Sequence, residues 1–313
     1  MNLSNNEIEE LRQGYRVDPN SEEFKIALEN VKQMVFHKKF PVSENEIPTM
    51  VFIGGQQGSG KTQLLLSKDA DSDNFVRLSI DECTPFHPHR GEIVDTHPDL
   101  YAYFTYEFGL MIRNEIYNEA VEKRYNVRTE GTLKDTEDTL KLIRQLRESR
   151  YRVEIEVMAT GITESSLSVF ERYETEIEEQ KEKKKKKESV PRLVEWTSSY
   201  GAIPNTIKQI EEDCVADSIK IFTRGVNEHT PNLKYATDAE RNNYDNAYEC
   251  LTTERKLDNI RSGKTFVKRF NKLERSMIAR GATDRELMSL RNVPKELNEK
   301  FQIDISEERE AIW

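Results

Sequence analysis

The sequence has few cysteines, and none of them has the spacing of a metal site. Cys83, Cys214 and Cys250 are the three cysteines of the 313 residues. Closely paired cysteines are typical of zinc sites, and dense even sets are typical of disulfide-bonded secreted domains. The pattern therefore argues against both and predicts reduced thiols in a reducing compartment.

Long hydrophobic runs are also absent. Residues 1–8 have neither a basic start nor an apolar segment, and no later run is long enough to span a bilayer. We therefore expect a cytoplasmic protein with no membrane partner.

Apolar residues are scarce, and acidic residues outnumber basic ones. Hydrophobic side chains make up 36% of the chain and charged side chains 33%, with a net charge of -10. A sufficient core then requires helices with one buried and one solvated face. The negative charge excludes a general electrostatic attraction to nucleic acid, so we expect no nucleic-acid partner.

The most informative segment is residues 49–62, which contain the pattern Gly-x-x-x-x-Gly-Lys-Thr between Gly55 and Thr62. An apolar β-prone run precedes the pattern and a helical stretch follows it. Such glycines let successive backbone N–H groups and a helix N-terminus face one phosphate. Lys61 is then predicted to reach the β- and γ-phosphates of ATP, and Thr62 to bind Mg²⁺. The predicted phosphate-binding residues are Gly55, Gln56, Gln57, Gly58, Ser59, Gly60, Lys61 and Thr62.

Between residues 48 and 224, β-prone runs alternate with helical stretches. This alternation predicts an α/β fold, with a P-loop kinase-like core whose mainly parallel sheet has about five strands flanked by helices. Residues 1–47 are predicted to form an N-terminal helical extension, and residues 225–313 a C-terminal helical region. Ligands of such sheets bind at the carboxyl ends of the strands, so the residues that end each strand are candidate site residues. The predicted strands are 50–53, 75–80, 125–129, 151–159 and 219–222.

Two acidic residues follow predicted strands. Asp81 comes after the run 75–80, and Glu130 after the run 125–129, with the hydroxyl of Thr132 close behind. One such acid often only caps a helix, but two beside a phosphate loop are better explained as site groups. A carboxylate at this edge can hold Mg²⁺ or accept a proton from an attacking hydroxyl, and the residues alone leave both roles open.

Two arginines follow the fourth predicted strand. Arginine is suited to neutralise the charge that spreads over a transferring phosphoryl group. Arg172, however, has the spacing of a surface pair with a nearby glutamate, so its position does not assign the role. Arg192 follows the lysine-rich run 181–188, which we interpret as a solvated helix extension and not as a nucleic-acid patch.

Taken in order, these motifs resemble the zeta toxin family of bacterial toxin–antitoxin systems. The resemblance extends from about Val51 to Gly225. Its motifs after the phosphate loop are more specific than the loop, which many unrelated proteins share. Zeta toxins are P-loop kinases that phosphorylate the 3′-hydroxyl of UDP-N-acetylglucosamine, and the resemblance implies this activity and a block of cell-wall precursor synthesis. The matching segments are 54–62, Ile80-Asp81 with His87-Pro88, Tyr125-Asn126, Glu130-Gly131-Thr132, Val157-Met158-Ala159 and Glu171-Arg172-Tyr173-Glu174.

The resemblance also implies roles for the residues of the donor side. Lys61 and Thr62 match residues that bind ATP and Mg²⁺, and Asp81 matches the base that deprotonates the sugar hydroxyl. Arg172 matches an arginine that contacts the ATP phosphates during transfer. Arg192 is similar to a second phosphate-binding arginine.

On the acceptor side, Glu130 and Thr132 match residues that line the UDP-sugar pocket. An acid of the long helix that holds the sugar falls on Asn114, or on Glu115 with a one-residue shift. Many members carry an aspartate where this chain has Ser79. The resemblance further implies a small helical antitoxin that blocks the ATP site.

Two other functions stay open. One is a P-loop kinase whose acceptor is the hydroxyl of another nucleotide, another UDP-sugar or an antibiotic. The other is a nucleotide-binding interaction protein, against which the retention of Lys61, Asp81 and Arg172 argues.

Overall fold

A six-stranded sheet forms the centre of the molecule, with the strand order β2-β3-β1-β4-β5-β6. The computed structural model describes residues 3–67, 74–181, 197, 199–225, 230–240, 242–303 and 305. Strands β1 to β5 run parallel, and β6 is antiparallel to β5. The predicted α/β fold with a mainly parallel sheet is thus confirmed. The strands are β1 (Thr49–Gly54), β2 (Phe75–Leu78), β3 (Asn126–Gly131), β4 (Arg152–Met158), β5 (Ser218–Thr223) and β6 (Asn232–Ala236).

The helices account for most of the remaining described residues. Two short 3-10 turns, Thr84–Phe86 and Pro98–Leu100, flank the fifth helix. No helix in the described part of the chain is long and apolar enough to cross a bilayer. The helices are α1 (Asn5–Gly14), α2 (Glu22–Val35), α3 (Lys61–Leu66), α4 (Ile80–Cys83), α5 (Arg90–Thr96), α6 (Tyr101–Glu122), α7 (Thr136–Glu148), α8 (Ile162–Lys181), α9 (Ile203–Glu212), α10 (Ala247–Ala279) and α11 (Asp284–Phe301).

Strand β1 lies between β3 and β4, and its end is aligned with theirs. In the register of the sheet, Gly54 is the partner of Gly131 on one side and of Val157 on the other. Met50 and Ile53 of β1 are fully buried, as expected for a central parallel strand covered on both faces. The loop that follows β1 therefore starts in the middle of the carboxyl edge.

Strand β6 lies in the region predicted to be helical. It extends the sheet beyond residue 224, the predicted end of the kinase core. Only Tyr235 and Ala236 of its five residues are buried. The segment therefore does not show the alternation of apolar and polar residues by which a strand is recognised from sequence.

The apolar residues of helix α6 are regularly spaced. Phe104, Phe108 and Ile112 recur every four residues and are buried, and so form one face of the helix. Phe108 and Ile112 belong to the main hydrophobic core, which joins the sheet to α2, α6, α7, α9 and α10, whereas Phe104 packs in a smaller cluster with Tyr15, which follows α1.

A second hydrophobic core holds the C-terminal helices against α8. Phe170 of α8 packs in it with Phe266 and Phe270 of α10 and with Leu290 of α11. The C-terminal region is therefore attached to α8 as well as to the sheet.

The core position of α6 gives a testable stability difference. Ile112→Ala removes a fully buried side chain and should lower the free energy of unfolding by about 2–5 kcal/mol, because lost burial and a cavity add. Ile26→Ala removes a side chain that is 60% exposed, so it should change that value by less than about 0.5 kcal/mol. Urea denaturation measures both, and equal effects would contradict the assignment of the core face.

Candidate active site

A cavity of about 1070 Å³ opens at the carboxyl edge of the sheet. Its walls come from the loop after β1, the turn after β2, the end of β3, helices α6 and α8, and the residue that follows β5. This is the edge at which parallel sheets bind ligands. The predicted site residues that line it are Gln57, Gly58, Ser59, Gly60, Lys61, Thr62, Asp81, Glu130, Thr132 and Arg172.

The glycines of the phosphate loop are required by its backbone. Gly58 and Gly60 have φ values of 72° and 96°, in the left-handed region that favours glycine. A Cβ on Gly58 would lie 2.3 Å from the carbonyl oxygen of Ser165 in α8. The loop therefore curls tightly only because these positions lack side chains, and it lies directly against α8.

Two residues of the predicted loop face inward. The side chain of Gln56 is fully buried and donates from Nε2 to the carbonyl oxygen of Thr160, 2.7 Å away. Neither Gln56 nor Gly55 is among the residues that line the cavity. Gln56 thus holds the loop in place from behind.

Lys61 is buried and folded back onto the loop. Its Nζ donates to the carbonyl oxygens of Gly55 at 2.8 Å and Gln56 at 3.0 Å. Burial lowers the pKa of Lys61, while the negative charges of Glu130 and Asp81 act to raise it. The ammonium group of Lys61 is thus poorly hydrated and lies close to the cavity. A small movement of its side chain would let it bind an anion there.

Asp81 lies in α4, which begins earlier than the sequence predicts. The run 75–80 was expected to be one strand, but β2 ends at Leu78 and α4 begins at Ile80. The hydroxyl of Ser79 accepts a hydrogen bond from the backbone N–H of Asp81 at 3.2 Å, which caps the helix. Many zeta toxins carry an aspartate at this position. Serine and aspartate are both good N-caps, so Ser79 can cap the helix as that aspartate would.

Thr62, at the end of the phosphate loop, and Glu130 of β3 lie close together at the cavity. Thr62 Oγ1 is 3.5 Å from Glu130 Oε2. Oxygen atoms of this kind are the ligands that Mg²⁺ prefers, and the ion usually takes further ligands from substrate phosphates and water. The described residues contain no group of three or more His, Cys, Asp or Glu side chains that could hold a metal by themselves. The hydroxyl of Thr62 therefore fits a Mg²⁺ ion that arrives with a nucleotide.

Arg172 reaches the cavity from α8. It forms an ion pair with Glu176, one turn further along α8, but the pair is long, with Nε 3.7 Å from Oε1. Its Nε and Nη2 atoms are buried and have no hydrogen-bond partner among the described residues. Buried guanidinium donors normally find an acceptor, so this arrangement fits an anion such as a phosphate better than a surface pair. Arg192 and residues 182–188 lie outside the described residues.

Comparison with known proteins identifies the family. The profile of the family described as zeta toxin matches residues 32–240. The chain belongs to the zeta toxin family.

Curated zeta toxins match a part of the chain. PezT of Streptococcus pneumoniae serotype 4 is 29% identical over 159 residues, which are 50% of this chain and 61% of that toxin. Toxin zeta of Streptococcus agalactiae is 32% identical over 132 residues, which are 42% of this chain and 46% of that toxin. The matched segments thus span about half to three-fifths of these relatives.

Solved structures show the same fold. A structure of the PezAT toxin–antitoxin system of Streptococcus pneumoniae aligns with a TM-score of 0.61 and 22% identity, over 82% of this chain and 98% of that chain. The complex AvrRxo1-ORF1:AvrRxo1-ORF2 with sulphate ions aligns with a TM-score of 0.52 and 12% identity, over 94% and 90% of the two chains. At these identities the likeness concerns the fold alone.

The acceptor side differs from what the zeta toxin resemblance implies. Asn114 and Glu115 are exposed on α6 and are not among the residues that line the cavity. Their neighbour Arg113 lines it instead, and donates to Thr129 Oγ1 at 3.2 Å and to Asn114 Oδ1 at 3.0 Å. Burial lowers the pKa of Arg113. At this place α6 thus presents a cation to the cavity.

Two further arginines reach the cavity without having been predicted. Arg224 follows β5 and donates from Nη1 to Glu164 Oε1 at 2.8 Å. Arg12 of α1 lies over the ring of Tyr103 and donates to its hydroxyl at 3.2 Å. The rule that strand ends supply site residues would have found Arg224, whereas no local pattern distinguishes Arg12 or Arg113.

The loop geometry predicts which glycine substitution abolishes binding. Gly58→Ala should lower the affinity for Mg·ATP by more than about tenfold, because a left-handed backbone and a clash with α8 would displace the loop. Gly91→Ala in α5 is the matched control, since a Cβ there meets nothing within 4 Å. Calorimetric titration of both variants measures the effect. Unchanged binding by the Gly58 variant would show that the loop does not hold the phosphates.

Proposed function

We propose that the protein is a kinase that transfers the γ-phosphate of ATP to the 3′-hydroxyl of UDP-N-acetylglucosamine or a close UDP-sugar. One observation carries the proposal. The phosphate loop, the carboxylate of Asp81 and the guanidinium of Arg172, whose buried donors make no hydrogen bond within the described residues, all line one cavity. A kinase for an alcohol acceptor needs these three elements, which are an anion cradle, a base and a cation for the transferring group.

The donor half consists of the loop, Lys61, Thr62 and Arg172. When bound, Mg·ATP supplies the transferable phosphoryl group and a metal charge that offsets its negative charge. Lys61 leaves the loop carbonyls and binds the β- and γ-phosphate oxygens, and Thr62 binds the ion through its hydroxyl. Arg172 donates its buried Nε and Nη2 groups to the γ-phosphoryl oxygens, where charge accumulates during transfer. Arg192 is a candidate for a second such donor.

The acceptor half lies on the side of Asp81 and α6. Asp81 accepts the proton of the attacking hydroxyl, and Glu130 and Thr132 hold the sugar. The cations Arg12 and Arg113 suit the diphosphate of the acceptor. The rings of Tyr103 and Tyr106, which are 44% and 53% exposed, can stack on the base.

The product of this reaction would be a phosphorylated nucleotide sugar that cell-wall synthesis cannot use. An enzyme of this kind requires restraint in its own cell. The fold shared with PezAT supports a small helical antitoxin as partner. The antitoxin would cover the ATP site.

One observation favours a second acceptor class. The cavity receives Arg113 from α6, while Asn114 and Glu115 are exposed outside it. A cation at this place suits an acceptor with an additional phosphate, so another nucleotide is the second candidate.

The acceptor is identified by incubating the full chain with Mg·ATP and a panel of UDP-sugars, nucleotides and antibiotics, with products read by mass spectrometry. UDP-N-acetylglucosamine that gains a phosphate supports the proposal. A gain that appears only on another nucleotide supports the second candidate. If no acceptor gains a phosphate although ATP binds, the kinase proposal is wrong.

Asp81→Asn separates binding from transfer. It should retain ATP affinity and lose at least about 100-fold in the transfer rate, because an amide cannot accept the proton of the hydroxyl. Asp95→Asn, at an exposed position of α5, is the matched control and should keep full activity. Single-turnover transfer and ATP titration measure the two quantities. A fully active Asp81 variant would rule out the base.

Arg12→Gln tests the acceptor side. It should raise the KM of the acceptor by about tenfold and leave the KM of ATP unchanged, since a charged hydrogen bond is worth about 1.5–3 kcal/mol. Arg16→Gln is the matched control. It removes the nearby ion pair between Arg16 and Glu107, neither of which lines the cavity, and it should change neither KM. A raised KM for ATP in place of the acceptor would contradict this placement.

A further inference from the structure

Helix α10 belongs to the region whose sequence shows no chemical motif, yet it contacts the phosphate-binding elements at three places. It also forms a hydrophobic core with α8, the helix that carries Arg172. The three polar contacts lie between residues 255 and 269. They concern the loop, the start of α8 and the turn of α8 next to Arg172.

The first contact is between α10 and the phosphate loop. Arg255, which is 3% exposed, donates from Nη2 to Gln56 Oε1 at 2.9 Å and from Nη1 to the carbonyl oxygen of Tyr200 at 2.8 Å. Its guanidinium also stacks on the ring of Tyr200. Burial lowers the pKa of Arg255 to about 10. Burying a cation without a counter-ion costs free energy. Within the described residues, Arg255 is held by neutral groups and not by a carboxylate. Its charge therefore adds to the positive potential behind the loop.

The second contact caps α8. Asp258 Oδ2 accepts a hydrogen bond from the backbone N–H of Gly161 at 2.7 Å, and Asn259 Oδ1 accepts one from Thr163 at 3.1 Å. The N–H of Thr163 has no partner inside α8, because it belongs to the first turn, and Gly161 immediately precedes the helix. A Cβ on Gly161 would lie 2.4 Å from Asn259 Oδ1, so α10 approaches the helix start as closely as the backbone allows. The cap that α8 lacks in its own sequence is thus supplied by α10.

The third contact links α10 to both the loop and Arg172. Arg269 donates to Glu171 through Nε at 2.9 Å and through Nη2 at 2.7 Å, and it also binds Glu164. Glu164 in turn binds Arg224, which donates to the carbonyl oxygens of loop residues Gly58 and Ser59. Burial acts to raise the pKa of Glu164, but the hydrogen bond and the positive charge of Arg269 keep that pKa below its ordinary value.

We propose that α10 is part of the nucleotide site and that Arg255 and Arg269 are its positioning residues. Arg255 fixes Gln56 and with it the phosphate loop. Arg269 fixes α8 one residue before Arg172, and so sets where the Arg172 guanidinium points. The inference rests on the proposed function insofar as the cavity takes a nucleoside triphosphate.

Amide hydrogen exchange on the full chain without nucleotide tests the positioning directly. Arg255→Lys keeps the charge but cannot bridge Gln56 and Tyr200, and it should raise exchange in segment 55–62 by about tenfold or more. Arg269→Gln should do the same in segment 162–175. The matched control is Arg291→Gln, which breaks the ion pair of Arg291 with Glu274 between α11 and α10. Exchange like that of the control in both segments would overturn the inference.

Kinetics test whether Arg269 acts through Arg172. Arg269→Gln should lower the rate of phosphate transfer by about tenfold, with Arg291→Gln within about twofold of the parent. In an Arg172→Gln background, Arg269→Gln should have little further effect, because the group that it positions is gone. Equal losses in both backgrounds would show a structural role only and would overturn the inference for Arg269.

Calorimetric titration of the unmutated chain with Mg·ATP separates this inference from the proposed function. If the chain binds Mg·ATP and the variants behave like the control, α10 is not part of the site and the proposed function stands. If the chain binds no Mg·ATP, the proposed function fails, and the exchange experiment still decides whether α10 positions the loop and α8.

Discussion

The site depends on one close packing, that of the phosphate loop on helix α8. Gly58 lies so near the carbonyl oxygen of Ser165 that no side chain fits between them. This contact ties the phosphate loop to the helix that carries Arg172. The proposed kinase needs both at one triphosphate, and the contact holds these distant parts of the sequence in one geometry. Such preorganisation is the condition for electrostatic stabilisation of a transferring group.

The cavity brings several positive charges close together, which costs free energy unless nearby groups offset them. Lys61, Arg172 and Arg224 line the same cavity, and the positive charge of Arg172 acts to lower the pKa of Lys61. The acids at the site, Asp81 and Glu130, offset part of this charge and act to raise the pKa of Lys61. The C-terminal helices contribute the rest of the support through a network of arginine and glutamate side chains behind α8. In the proposed function, a bound triphosphate would complete the charge balance of an arrangement that is already in place.

Local patterns were sufficient to predict the parts of the fold whose causes are local. The phosphate loop follows from its glycines, and the five parallel strands follow from apolar runs separated by helices. The buried face of α6 follows from its four-residue spacing. The end of β2 was misplaced because Ser79 caps α4 inside what reads as one apolar run, and β6 was missed because only its last two residues are buried.

The missed site residues depend on tertiary structure. Arg12 becomes a cavity residue because α1 packs on α6, and Arg113 because α6 lies beside β3, where Arg113 donates to Thr129. No spacing in either helix indicates this. Arg255 lies 199 residues from the glutamine that it holds. A pattern within one segment cannot contain such information. Arg224 is the exception, since it follows a strand that the sequence predicts.

The central claim is that one cavity holds the donor phosphates against Arg172 and the acceptor hydroxyl against Asp81. The most direct measurement is a crystal structure of the full chain with Mg²⁺, a non-hydrolysable ATP analogue and UDP-N-acetylglucosamine. The account predicts that the Arg172 guanidinium donates to the γ-phosphate and that the Asp81 carboxylate accepts a hydrogen bond from the 3′-hydroxyl. A complex in which Arg172 stays on Glu176, or in which the sugar lies away from Asp81, would contradict it.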